Sequence, residues 1–353
     1  MLENVYEYII DNYVGSFREV SSEVKLVILD TNIFQCQYLD KEDLIPLGNK
    51  DTVRLGLYEV FLEFATKPDW NREFIDFFLD NIDYIVFQGF PIYDMNLFHQ
   101  VIKYKKSGNE NKLDKEHIIK YVLENKEKLR EEKEKLKKYL LESVFKIGMH
   151  YIFTILYEYL FYKKDSKIKV DKKTADIYQK NITDSINNEV INIAELNIKI
   201  DKLILEIENV FFKNNKSLKI SKMLSDIEKE KERFENCHFK ERYIHWTTIK
   251  TTKDEVCLEA QSRFINTIVF IITDKIKNKK IEENDILDMA IFYSFLDKEK
   301  IFYNSKSHKT IILTKDNKLK DIIENYKKVE EYLKQLDTLP DVTVEELYPS
   351  FKK

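Results

Sequence analysis

The run Val24-Lys25-Leu26-Val27-Ile28-Leu29-Asp30 decides how the fold is read. It is almost continuously apolar, contains β-branched residues and stops at a carboxylate. Such a run predicts a strand buried on both faces, as in a parallel sheet. Thr31-Asn32 then offers capping chemistry for a helix starting near Ile33. A second run of the same kind lies far along the chain, Lys309-Thr310-Ile311-Ile312-Leu313-Thr314, followed at once by Lys315-Asp316-Asn317. Working outward from the first strand, helices are expected over Thr52 to Ala65 and Asn71 to Leu79. A strand is expected over Asp83 to Phe87 and a short last one over Val342 to Val344.

Between these α/β ends the texture changes. From about Tyr93 to His245 strand signals nearly vanish and Lys/Glu-rich helical periodicity takes over. Lys112 to Leu141 reads as one long charged helix, with Glu127, Glu131 and Glu134 three or four residues from lysines or Arg130. Further helices are expected over Thr174 to Lys213, Leu218 to Asn236, Lys253 to Lys277 and from Asn284 on. The organisation that follows is an α/β domain built from residues 1–92 and 246–353, with an all-helical insertion over 93–245. The 353 residues, 43% hydrophobic and 34% charged, suffice for a sizeable core, and only 6 Gly and 5 Pro argue against an all-β fold. A net charge of −4 excludes a globally basic nucleic-acid coat. Cys36, Cys237 and Cys257 make no CxxC pair and no disulfide framework, which fits a reducing cytoplasm. The opening MLENVYEYIIDNYV does not read as a signal peptide. The most apolar stretch, Ser143 to Tyr162, contains Lys146, His150 and Glu158, so no membrane span is expected.

In open parallel sheets, ligands bind beyond the carboxyl ends of the strands. Asp30 and Asp316 are both expected there. A single acidic residue at that place is usually a helix cap; two on separate strands are harder to dismiss. Asp288 adds a carboxylate among Leu287, Met289, Ala290 and Ile291, a setting that needs a partner or a metal. Asp285, three residues earlier, reads as a favourable charge near a helix N-terminus. In Leu57-Tyr58-Glu59-Val60-Phe61-Leu62-Glu63-Phe64, the two glutamates are four apart and share a face. Glu63, flanked by Leu62 and Phe64, is preferred over Glu59.

Taken in order, Asp30 in VILDTNIF, Glu63 in the LEF helix, Asp288 in NDILDMAIF and Asp316 in ILTKDNKL resemble the PIN-domain nuclease family. The terminal VTVEELYPSF is similar to that family's closing edge strand. The resemblance covers roughly residues 20–90 and 250–350. It implies a PIN-like, three-layer parallel-sheet domain and a metal-dependent ribonuclease, with Asp30, Glu63, Asp288 and Asp316 as catalytic residues and metal ligands. Hard oxygen ligands select Mg²⁺ or Mn²⁺. Asn32 and Thr314 would hold Asp30 and Asp316 in place, with Asp285 and Glu59 as outer acidic residues. RNA is the first substrate expected. A DNA-directed nuclease with the same site, and an inactive PIN scaffold binding protein or RNA, are the alternatives. The insertion would restrict substrate, hold a protein partner or mediate self-association.

Other signals are weaker. Cys237 to Trp246 interleaves basic and aromatic residues, so Lys240, Arg242 and Trp246, together with Lys315, are candidate nucleic-acid contacts, although aromatics at a domain junction more often pack. Arg233 and His238 fit the loose Arg-x(4–6)-His spacing of helical HEPN ribonucleases, a spacing that chance supplies easily. No GxGxxG and no Walker motif is present, and Asn49-Lys50-Asp51 lacks the GTPase spacing. Asn32 stands where haloacid-dehalogenase phosphatases need a second aspartate.

Overall fold

The computed structural model describes residues 25–39, 52–69, 71–86, 95–108, 110–162, 190, 192–212, 219–222, 267–277, 279–293 and 310–321. They fall into two compact units: the described residues up to Tyr139 with Ala290–Asp321, and those within Leu140–Met289. The expected strand at 342–344 and the segment 233–246 lie outside the described residues.

The first unit is built on a parallel sheet of four strands in the order β3-β2-β1-β6. Strand β1 (Lys25–Leu29) pairs with β2 (Thr52–Leu57) on one side and with β6 (Thr310–Leu313) on the other. Strand β3 (Tyr84–Val86) continues beyond β2. Val27, Ile28 and Leu29 are all buried, as a strand covered on both faces requires. Helices α1 (Thr31–Leu39), α2 (Tyr58–Thr66) and α3 (Arg72–Asp80) follow the first strands. They pack on one another through rings: Phe34 meets Phe64 and Phe78, and Phe64 meets Phe74. Gly56 lets α3 approach β2 closely. A Cβ there would stand 2.8 Å from Ile82 Cδ1 and 3.2 Å from the Phe78 ring.

The structure departs from the sequence expectations in three places. Thr52 to Ala65 is not one helix: β2 takes 52–57 and α2 begins at Tyr58 with no intervening loop. Gly56 disfavours the helix, and the ladder to β1 supplies the backbone partners instead. Secondly, Lys112 to Leu141 is not one helix. After α4 (Met95–Val101) come β4 (Tyr104–Ser107), β5 (Glu110–Leu113), α5 (Lys115–Glu124) and α6 (Lys126–Tyr162). Asp114 accepts from the His117 N–H and starts α5. Asn125 ends α5: its N–H and its side-chain amide both donate to Tyr121 O, while its own carbonyl accepts from Leu129 N–H and so opens α6. Thirdly, the segment 93–245 is not all-helical, because β4 and β5 form an antiparallel hairpin. Gly108, with φ of +64°, supplies the positive angle at the turn.

The hairpin is fastened to the sheet by Tyr104. Its hydroxyl accepts from Ile85 N–H (3.2 Å) and donates to Ile85 O (3.0 Å), the outward-facing backbone groups of β3. An exposed strand edge is thereby covered. Arg54 on β2 makes a paired contact with Asp83 that fixes the entry to β3.

The second unit is helical among its described residues. It contains the later part of α6, α7 (Ile193–Phe211), α8 (267–276) and most of α9 (Glu283–Tyr293). Gly148 on α6 allows close approach of Ile272, and Lys275 on α8 pairs with Asp201 on α7. The Asn197 side chain binds both the N–H and the C=O of Ile281, holding α7 against the approach to α9. No helix among the described residues is long and apolar enough to cross a membrane.

Candidate functional site

From β1 the chain runs outward to β2 and then β3, whereas β6 lies on the opposite side of β1. The sheet's order therefore reverses between β1 and β6, and a crevice opens beyond the strand ends at such a point. Leu29 and Leu313 stand in register there, and Asp30 N–H donates to Leu313 O at 3.1 Å. Asp30 is the first residue past β1, and Asp316 lies three past β6.

A compact hydrogen-bond network ties the two strand ends. Thr314 Oγ1 donates to Asp30 Oδ2 at 2.6 Å and accepts from Asp316 N–H at 2.9 Å. The Asn32 side-chain amide donates to Asp30 Oδ2 (2.6 Å) and to Thr314 Oγ1 (3.2 Å), while its Oδ1 accepts from Lys315 N–H (2.9 Å). Both side-chain bonds to Asp30 thus fall on one oxygen, Oδ2. Asp316 Oδ1 accepts from the N–H groups of Lys318 and Leu319, capping the short helix at 317–321. Thr31 and Asn32 were expected as caps of α1. They lie within its first turn instead, and Ile33 N–H is taken by the Asp30 carbonyl. Their side chains are directed to other site residues.

Glu63 joins from α2. Its Oε2 accepts from Thr31 Oγ1 at 2.8 Å, and its Oε1 pairs with Lys67 at 3.3 Å. Glu59, one turn earlier, is buried on the same helix. Asp30 is only 3% exposed. Burial, above all, raises its pKa from the ordinary 3.8 to about 6. Glu63 and Asp316 add to the rise, against hydrogen bonds from Thr314 and the Thr31 backbone. The structure thus brings Asp30, Glu63 and Asp316 into one electrostatic neighbourhood with Thr31, Asn32 and Thr314. Lys315 is exposed beside them. Asp285 and Asp288 are buried on the part of α9 that belongs to the second unit, where Asp285 accepts from Glu282 N–H at 2.8 Å. Lys240, Arg242 and Trp246 lie outside the described residues.

Sequence reading missed Thr31 as the residue that fixes Glu63. Its place between Asp30 and Asn32 was the available signal. As they stand, no three His, Cys, Asp or Glu side chains among the described residues are grouped so as to hold a metal ion. Among the described residues, the side-chain oxygens around Asp30 are carboxylate, hydroxyl and amide oxygens, donor types that hard cations take. No family model, curated protein or solved structure matches the chain.

Proposed function

We propose that the chain is a PIN-like, Mg²⁺- or Mn²⁺-dependent ribonuclease whose active site is centred on Asp30. One observation carries the reading: Asp30 and Asp316 are tied together across the β1/β6 switch point by Thr314 and Asn32, with Glu63 held beside them. A fold that only needed caps there would have no use for a buried carboxylate whose neighbours oppose its ionisation.

In this reading Asp30 would be the residue that holds the cation. Its Oδ2 is held by Thr314 and Asn32, which fixes the direction of the carboxylate. Glu63 and Asp316 would add negative charge beside it, although the three carboxylates are not grouped as a single ligand set as they stand. The chemistry such an ion supplies when bound is polarisation of a phosphodiester and activation of water. Glu63, set by Thr31, orients the attacking water.

The experiment is cleavage of labelled single-stranded RNA and DNA in Mn²⁺ by wild type and Asp30→Asn side by side. RNA cutting that the substitution abolishes is the expected result. Cutting of DNA alone would move the substrate class, and cutting that survives Asp30→Asn would overturn the site. A PIN-type scaffold that binds without cleaving is the second reading, favoured by the lack of three grouped ligands among the described residues. It predicts RNA or protein binding with no cleavage by either protein.

A further inference from the structure

The geometry points to the β4–β5 hairpin as a phosphate-gripping arm for single-stranded RNA, an inference that rests on the nuclease reading for the identity of its partner. Within Lys103 to Lys115 there are five lysines against two carboxylates, in a chain whose net charge is −4. The register sorts them. Lys105 stands directly opposite Lys112, and the Asp114 N–H bond to Lys103 O extends the ladder by one more pair. Side chains alternate along a strand, so Lys103, Lys105 and Lys112 share one face and Tyr104 lies on the other.

Two lysines directly across a ladder repel one another and weaken it. The repulsion is only partly relieved. Lys105 Nζ pairs with Asp114 Oδ1 at 2.8 Å, while all three lysines are exposed. Among the described residues no carboxylate forms an ion pair with Lys103 or Lys112. A hairpin that keeps like charges facing each other in solvent is suited to a polyanion, and a nucleic-acid backbone supplies closely spaced phosphates.

Its anchorage agrees with that role. Tyr104 fixes the hairpin to β3, which stands two strand spacings, about 10 Å, from β1 and Asp30. A strand of RNA crossing the sheet edge to reach Asp30 passes within reach of the arm.

The test is fluorescence anisotropy of a labelled single-stranded oligoribonucleotide with the full chain, in EDTA, over a salt series. The proteins compared are wild type, Lys103→Glu/Lys112→Glu and the charge-keeping Lys103→Arg/Lys112→Arg. The glutamate variant should bind about tenfold more weakly, with a log-log salt slope shallower by about 1.4, two contacts at about 0.7 each for single strands; the arginine variant should match wild type. Should the glutamate variant melt early, Lys103→Gln/Lys112→Gln is read for the same loss of slope. Unchanged affinity and slope would overturn the inference, as would a wild type that binds phosphatidylserine vesicles but not RNA. Because cleavage plays no part in this readout, an inactive protein that still shows the slope loss sinks the nuclease reading and leaves the arm standing.

Discussion

Burial makes the charge on Asp30 costly to the folded state. Its pKa of about 6 lies above the ordinary 3.8, so between those values the folded chain keeps a proton that the unfolded chain has released. Stability therefore falls as pH rises through that window. The full deficit, about 3 kcal/mol, is present above pH 6 when no cation is bound. Asp30→Asn keeps an oxygen for Asn32 and Thr314 and removes the charge. In EDTA at pH 7.5 the variant should be more stable than wild type by up to about 3 kcal/mol, and the difference should vanish below about pH 4. Paired denaturant melts across pH check both limits. The choice between Glu59 and Glu63 also belongs to this scale. Residues four apart share a helix face, so pattern alone cannot separate them. The Thr31 hydroxyl on Glu63 is the tertiary contact that marks Glu63 as the neighbour of Asp30.

At the scale of elements, the predictions concern how the sheet is closed and packed. Tyr104→Phe removes the one group that meets both Ile85 backbone atoms. A loss of about 1–3 kcal/mol is expected, with faster hydrogen exchange at Ile85 as the local signature. Gly56→Ala forces a methyl to within 2.8 Å of Ile82 Cδ1 and 3.2 Å of the Phe78 ring. Overpacking of that kind should cost about 1–3 kcal/mol in a thermal or urea melt. These same elements show what sequence could and could not yield. The runs at β1 and β6 were readable because each is near-continuously apolar and stops near an aspartate, and in β1 Val27, Ile28 and Leu29 are all buried. Strand β2 was not, since Val53, Leu57 and Phe61 recur every four residues and Leu57 enters α2 with no turn residue to mark the change. The hairpin was hidden for another reason: β4 is lysine-rich and mostly exposed, so it shows no apolar alternation. Only the Ser107-Gly108-Asn109 turn chemistry hinted at it.

For the molecule as a whole, the mixed α/β class and the placement of Asp30 and Asp316 at strand ends follow from local patterns in the sequence. The joining of Asp30, Asn32 and Thr314 does not, because it spans some 280 residues and depends on β6 pairing beside β1. In the proposed function this junction holds a cation. The most direct measurement is the thermal stability of wild type and Asp30→Asn at pH 7.5, each in EDTA and in Mn²⁺. In EDTA the variant should melt above wild type. Mn²⁺ should raise the wild type by about 2.7 kcal/mol at a hundredfold excess over its dissociation constant and leave the variant unmoved. Equal Mn²⁺ responses in the two proteins, or none in either, would contradict the claim.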